Sequence, residues 1–339
     1  MTEEMTGKER VMAALAGKEF DRYPAVSFTS VATKDQMKKV KASYPQAHTD
    51  AVKMAALAAA GHELVGFDTV SPYFSVLLEA AALGAKVEWG NETISPYVSK
   101  VPFRRLEDIQ IQRDFLERNE MQQLLKCICI LKRKYGQTAA VIGKVMGPWT
   151  LAYNLYGVEK LMLDMILEPK RTKQVIEDLS QVSIDFAKAQ FHAGIDALTW
   201  AEHATRDLVS AELYQEFVYP VHDRICRELK AYGPVILHVC GNVEDRFPLF
   251  VKAGFTCFHL DSRNNVPNLV RQGEGKIQFA GGINNPITLM RGSVRQIEKE
   301  VENNIKYGVT MVGPECAIQT NIPLKNLLTL VRAIHGFKK

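Results

Sequence analysis

Three residues carry the strongest chemical signal in this chain. His238 and Cys240 flank Val239 and are followed by Gly241, and Cys316 lies far downstream. In a β-strand, residues i and i+2 point to the same face, so His238 and Cys240 can aim at one point. An imidazole and two thiolates form a soft, compact donor set that suits Zn²⁺, and three protein ligands leave the fourth position open, as a catalytic zinc requires. A His-x-Cys pair alone is equally compatible with a satisfied core histidine beside a cysteine packed as a small hydrophobe. What separates the two is where the chain places these residues.

Short apolar runs rich in β-branched and aromatic residues recur along the chain. They are Pro24 to Thr29, Glu63 to Val70, Ala139 to Val145, Ile195 to Trp200, Val235 to Val239, Thr256 to Leu260, Ile277 to Ala280 and Val309 to Val312. Amphipathic stretches lie between the later ones: Pro169 to His192, Ala211 to Tyr232, Val243 to Ala253 and Val294 to Tyr307, with a first helix around Lys8 to Leu15. Pro169 suits a first helical position and Ser293 an N-cap. Continuous apolar runs alternating with helices predict a parallel sheet buried on both faces. Eight such runs predict an α/β fold, a single (β/α)8 TIM barrel with an N-terminal helical extension, occupying residues 1–339 as one domain. An open doubly wound sheet is the alternative, but no Gly-x-Gly-x-x-Gly follows the first strand to support its dinucleotide-binding form.

A barrel gathers its chemistry where strands end at the C-terminal face. The residues leaving the predicted strands are Glu202 and His203, then His238 and Cys240, then Asp261, then Gly281 to Asn284, then Glu315 and Cys316. Asp261 and Glu202 are candidates for a fourth zinc ligand or for a group that orients His238; for Asp261 a helix N-cap is the competing role. Arg206, Arg263 and Asn284 occupy the same predicted loops and are candidates for binding an anionic substrate group. Cys127, Cys129, Cys226 and Cys257 read as packing residues. His62, His192, His203, His222 and His259 carry no spacing signal.

Composition excludes several other classes. The chain has 339 residues, 47% hydrophobic and 24% charged, an ordinary globular balance. The net charge of +4 is small and interspersed, so no basic stripe for nucleic acid is expected. No apolar stretch approaches the roughly 18 residues needed to span a membrane. The polar start, Met1 to Arg10, lacks a signal-peptide pattern. A cytoplasmic protein with reduced cysteines, free to ligate metal, is the expectation.

The motifs also resemble a known family. Lys8-Glu9-Arg10, Asp21-Arg22-Tyr23-Pro24, Gly66-Phe67-Asp68, Gly147-Pro148-Trp149, Leu237 to Asn242, Gly281 to Pro286 and Asn321 to Leu327 resemble the uroporphyrinogen decarboxylase superfamily over nearly the whole chain. His238, Cys240 and Cys316 resemble the zinc ligands of its methylcobamide:coenzyme M methyltransferases from methanogens. That resemblance implies a TIM barrel and one Zn²⁺ per chain. It also implies methylcobalamin or another corrinoid carried by a partner corrinoid protein, and coenzyme M as thiol acceptor. The decarboxylases proper act without metal, so a metal-free decarboxylase is the alternative within the superfamily; a corrinoid methyltransferase using another thiol is a further one. Two departures concern the substrate end: Pro314-Glu315-Cys316-Ala317 stands where relatives usually have Gly-Cys-Gly, and Glu202-His203 where many have Asp-Pro.

Overall fold

The structure is a computed structural model and describes residues 4–338. Nine strands are present among these residues: β1 (Thr69–Val70), β2 (Lys86–Glu88), β3 (Tyr97–Lys100), β4 (Ala140–Met146), β5 (Ala197–Glu202), β6 (Val235–Val239), β7 (Cys257–Leu260), β8 (Gln278–Ile283) and β9 (Met311–Pro314). Seven of them pair in parallel in the order β1-β4-β5-β6-β7-β8-β9. An irregular extended segment closes the ring. Val26 N donates to Val312 O at 2.9 Å, Val312 N to Pro24 O at 3.2 Å, and Asp68 N to Ala25 O at 2.7 Å. The segment therefore sits between β9 and β1 as the eighth barrel position. Gly313 is needed at this seam, because a Cβ there would lie 1.8 Å from Val26 O.

The barrel predicted from the apolar runs is the fold found, with local differences. Residues 63–65 are helical, continuing Ala51–Ala60 through the turn Gly61–Val65. Gly66 ends that turn at φ 94°, which leaves only Thr69–Val70 as strand. The expected helix from Ala211 to Tyr232 is broken into Ala211–Leu213, the wide turn Tyr214–Val218 and Tyr219–Leu229. Pro220, which has no N–H to donate to the preceding turn, accounts for the irregularity. The antiparallel hairpin β2-β3 has no counterpart in the sequence reading. Its strands are too short and exposed to show an apolar period.

Alternation along the strands fills the barrel with Val26, Phe28, Ile142, Ile236, Cys257 and Met311 among others, and the helix Gly7–Leu15 plugs the bottom with Val11, Ala14 and Leu15. That helix begins at Thr6, whose side chain caps Glu9 N while Glu9 caps Thr6 in return. Cys127 and Cys226 are buried like Cys257, but Cys129 is exposed, with its thiol on the Ala193 carbonyl at 3.6 Å. No helix among the described residues is long and apolar enough to cross a membrane.

The plug is fastened by an ion cluster. Arg10, 1% exposed, reaches Asp21 at 2.6 Å and Asp68 at 3.1 Å. Arg22 reaches Asp68 at 2.9 Å, and the Asp68 carboxylate also accepts from Ala25 N at 2.9 Å. Asp68 thus ties the helix to the closing segment. Burial pushes the Asp68 carboxyl up, but His335, Arg22 and the Ala25 amide outweigh it and hold it at about 2. Asp21 is lowered to about 2, chiefly by Arg10. Both folded values lie below the unfolded ones, so the unfolded chain binds more protons in acid. This stabilisation should be full above pH about 4 and should vanish as pH falls through about 2. Asp68→Ala strands a buried guanidinium and should cost about 3–5 kcal/mol. Urea unfolding at pH 7 and at pH 3 measures both effects, with the variant losing most of the acid dependence.

Candidate active site

His238 is the fourth residue of β6 and pairs in register with His259 of β7. Both point into the barrel at its C-terminal mouth. Cys240 leaves β6 just beyond, and Cys316 leaves β9. Because the sheet is closed, the loop after β9 comes back toward β6. His238 Nε2 lies 3.2 Å from Cys240 Sγ and 3.4 Å from Cys316 Sγ, and the two sulfurs are 3.4 Å apart. A tetrahedral zinc separates nitrogen and sulfur donors by roughly 3.5–3.8 Å. The set could therefore hold such an ion after a small widening. Cys316 is pulled well below an ordinary thiol chiefly by the hydrogen bond from Cys240, and the same contact pushes Cys240 up.

The orientation of His238 is fixed by a chain of hydrogen bonds. His259 Nε2 lies 3.0 Å from Pro314 O, and a carbonyl can only accept, so this nitrogen carries the proton. His259 is fully buried, which drives its basicity far down and keeps the ring neutral. Its Nδ1 is then an acceptor, and His238 Nδ1, at 2.9 Å, must be the donor. The lone pair of His238 is thereby left on Nε2, facing both sulfurs. The Pro314 carbonyl, which can only accept, thus sets the proton on both rings. Gly281, at φ 85°, leaves room for the His259 ring, since a Cβ there would come within 2.7 Å of it.

The loops around the sulfurs are held by polar groups with assigned partners. Asp261, 3% exposed, accepts from Gly241 N at 2.7 Å, directly behind Cys240. Its oxygens also receive Arg263 through Nε at 3.1 Å and Nη2 at 2.9 Å. Burial raises the Asp261 carboxyl, but Arg263 and the amides more than offset it and keep it low. Glu315 accepts from Ser262 N and Asn285 N, both at 2.9 Å, and Asn285 Nδ2 grips the carbonyls of Cys316 and Ala317 at 3.1 Å. A cavity of about 330 Å³ opens against Cys240 and Cys316, bordered by Asp261, Arg263, Asn284 and Glu315.

Within residues 6–337 the chain matches the model of the family described as uroporphyrinogen decarboxylase (URO-D). The chain belongs to the URO-D family. It is 29% identical to the methylcobamide:CoM methyltransferase MtbA of Methanosarcina acetivorans, over 99% of each chain. It is 31% identical to the methylated-thiol–coenzyme M methyltransferase of Methanosarcina mazei, over 98% of this chain and 90% of that one. A solved structure, a methyltransferase from Methanosarcina mazei, superposes with a TM-score of 0.93 at 28% identity, covering 97% of this chain and 98% of that one.

The residues singled out in the sequence divide into two groups. His238, Cys240, Cys316, Asp261, Arg263 and Asn284 share one mouth. Glu202 does not join them. Thr199 faces the barrel interior, its hydroxyl donating to Phe28 O at 2.6 Å, and three residues later Glu202 lies on the opposite face of β5. There it accepts from Thr150 N at 2.8 Å in the first turn of the helix Pro148–Tyr156, and it stands 3.7 Å from His222 Nε2. The sequence placed it at the right strand end but on the wrong side, because the last residue of β5 was not known to within one position. Arg206 is exposed and sits near Glu244 and Asp245, outside the cavity. Asn284 caps the turn Asn285–Leu289 through Ile287 N at 2.7 Å. His259, which showed no spacing signal, is the residue the sequence reading missed; its i+2 spacing from Asp261 on one inward face was the available clue. His259→Phe should keep the fold and the stacking volume while releasing the His238 tautomer. Zinc affinity measured by chelator competition should fall about 10- to 100-fold.

Proposed function

We propose that this chain is a zinc-dependent methyltransferase. It takes a methyl group from a methylated corrinoid, presented by a partner corrinoid protein in the cytoplasm, and transfers it to the thiol of coenzyme M. The observation that carries this reading is the convergence of His238 Nε2, Cys240 Sγ and Cys316 Sγ at one point in the barrel mouth. The names of the two Methanosarcina relatives, which specify methyl transfer to coenzyme M, agree with it. The metal-free decarboxylase alternative leaves this donor set without a purpose.

His238, Cys240 and Cys316 would hold a Zn²⁺, whose charge would favour the deprotonated form of a substrate thiol at neutral pH. The chain's own residues provide the rest. His259 and the Pro314 carbonyl keep His238 Nε2 unprotonated and aimed. Asp261, through Gly241 N, and Asn285, through the Cys316 carbonyl, hold the two cysteine turns at hydrogen-bond distance. Their strand-end placement keeps the sulfurs from rearranging, and in-line methyl transfer depends on such positioning.

Purified protein should carry about one zinc per chain, and Cys316→Ser or Cys240→Ser should lose most of it. Demethylation of methylcobalamin, followed by the cobalamin spectrum, should require coenzyme M and fall by about two orders of magnitude in either variant. Full activity in zinc-free protein, or demethylation indifferent to the thiol, overturns the reading.

A further inference from the structure

His48 is buried, and neither of its ring nitrogens makes a hydrogen bond. It is 2% exposed, and its ring stacks on Tyr44 at 4.1 Å and on Trp89 at 5.8 Å between centroids. The two aromatic contacts hold the ring in place, so its nitrogens cannot swing to a distant protein partner. Burial, helped by the Lys144 charge, holds its pKa at about 3. The ring is therefore neutral at pH 7 and offers one N–H donor and one lone pair. Buried polar groups are nearly always hydrogen-bonded, and a bound ligand is one source of the missing partners.

His48 lines a cavity of about 550 Å³. Segments that follow β1 and β9 wall it, which places it at the barrel mouth, and the loop between β2 and β3 forms a further wall. Thr320 Oγ1 donates to Glu92 O at 2.6 Å and ties that loop to the segment after β9. Ala317 and Gln319 border both this cavity and the one against Cys240 and Cys316, so the two adjoin. The polar lining is mostly uncharged, with Ser30, Ser75, Ser95, Gln319 and Asn321 around His48. Lys34 is the one cation lining it among the described residues, and it is exposed. Phe74 and Ile94 add apolar surface. Such a lining suits an uncharged ligand that both donates and accepts hydrogen bonds. An oxyanion only accepts, so it would satisfy the N–H of His48 and leave the lone pair bare. Primary carboxamides match both, since the carbonyl accepts and the NH₂ group donates. The edge of a corrin ring carries several carboxamides among methyl groups, and its cobalt lies at the centre of the ring. With the cobalt-bound methyl over the thiols, an edge of the ring extends past Ala317 towards His48.

We propose that this cavity seats the carboxamide-bearing edge of the corrin ring, with His48 as its buried hydrogen-bond partner. The proposal rests on the methyl-transfer reading for the identity of the ligand, but its test requires neither a thiol nor turnover. The probe is cobinamide, which keeps the ring carboxamides and lacks the nucleotide tail, titrated calorimetrically into the purified full-length protein. The wild type should bind cobinamide about tenfold or more tightly than cobyrinic acid, whose ring carries carboxylates instead. His48→Phe keeps the ring stack and removes both nitrogens, and should weaken cobinamide binding about threefold to tenfold. Gln319→Leu, at an exposed position outside the core, should weaken it about twofold to threefold. In turnover, His48→Phe should raise KM for methylcobinamide and leave KM for coenzyme M unchanged. A wild type that prefers the carboxylate form overturns the proposal, as does one that binds cobalamin but not cobinamide. A His48→Phe variant that shifts only the KM for coenzyme M overturns it too, by giving the cavity to the thiol. If His48→Phe fails to fold, unchanged cobinamide binding in Gln319→Leu has the same force. Cobinamide binding that depends on His48 without thiol-dependent demethylation defeats the methyl-transfer reading alone. Thiol-dependent demethylation with cobinamide binding indifferent to His48 defeats this proposal alone.

Discussion

The seam between residues 24–27 and β9 is the contact on which the mouth of this barrel depends. Two backbone hydrogen bonds make it among the described residues, Val26 N to Val312 O and Val312 N to Pro24 O. Without them the sheet is an open ribbon, with β6 and β9 separated by two intervening strands and no reason to curve toward each other. With them, parallel strands present all their C-terminal ends around one ring, and loops from opposite sides converge. Gly313 admits the Val26 carbonyl at the seam, and Asp68 clamps the closing segment from below through Ala25 N. The ion cluster at the bottom of the barrel and the sulfurs at its top are thus two consequences of one closure.

At the mouth, polar groups are satisfied in a directed order. The Pro314 carbonyl sets His259, His259 sets His238, and His238 turns its free lone pair to the sulfurs. The carboxylates of Asp261 and Glu315 are filled by amides and by Arg263, so they hold loops rather than compete for the centre. Against this background His48 stands out, since neither of its ring nitrogens has a partner. A buried hydrogen-bonding group without a partner costs about 1–3 kcal/mol, more when charged.

Much of this was legible in the residues. Apolar strand runs at regular spacing predicted the barrel, and i, i+2 alternation put His238 and Cys240 on one face. The weak point was strand ends. A shift of one residue inverts the facing of a side chain, and this separates Glu202, on the helix side of β5, from Asp261, in the mouth. Short or irregular elements were less visible still. The closing segment 24–27 forms only bridges, the hairpin β2-β3 has no apolar period, and residues 63–65 take the helical path that their neighbours dictate. Propensity cannot resolve such pieces because tertiary contacts decide them.

Residue types and spacing by themselves determined the chemistry available: two thiols, an imidazole at i−2, and carboxylates and amides near predicted strand ends. They also determined the class of scaffold, since runs buried on both faces leave little choice but a helix-covered parallel sheet. The tertiary structure decided which of these groups meet. Cys316 lies 76 residues beyond Cys240 and reaches it at 3.4 Å only because the ring closes. His259 became a partner of His238 through strand register, and Lys144, unremarked in the sequence, became a buried cation stacked on the Tyr73 ring. Proximity across strands and the loss of water around a charge are properties of the packed barrel, and no local pattern along the chain encodes either.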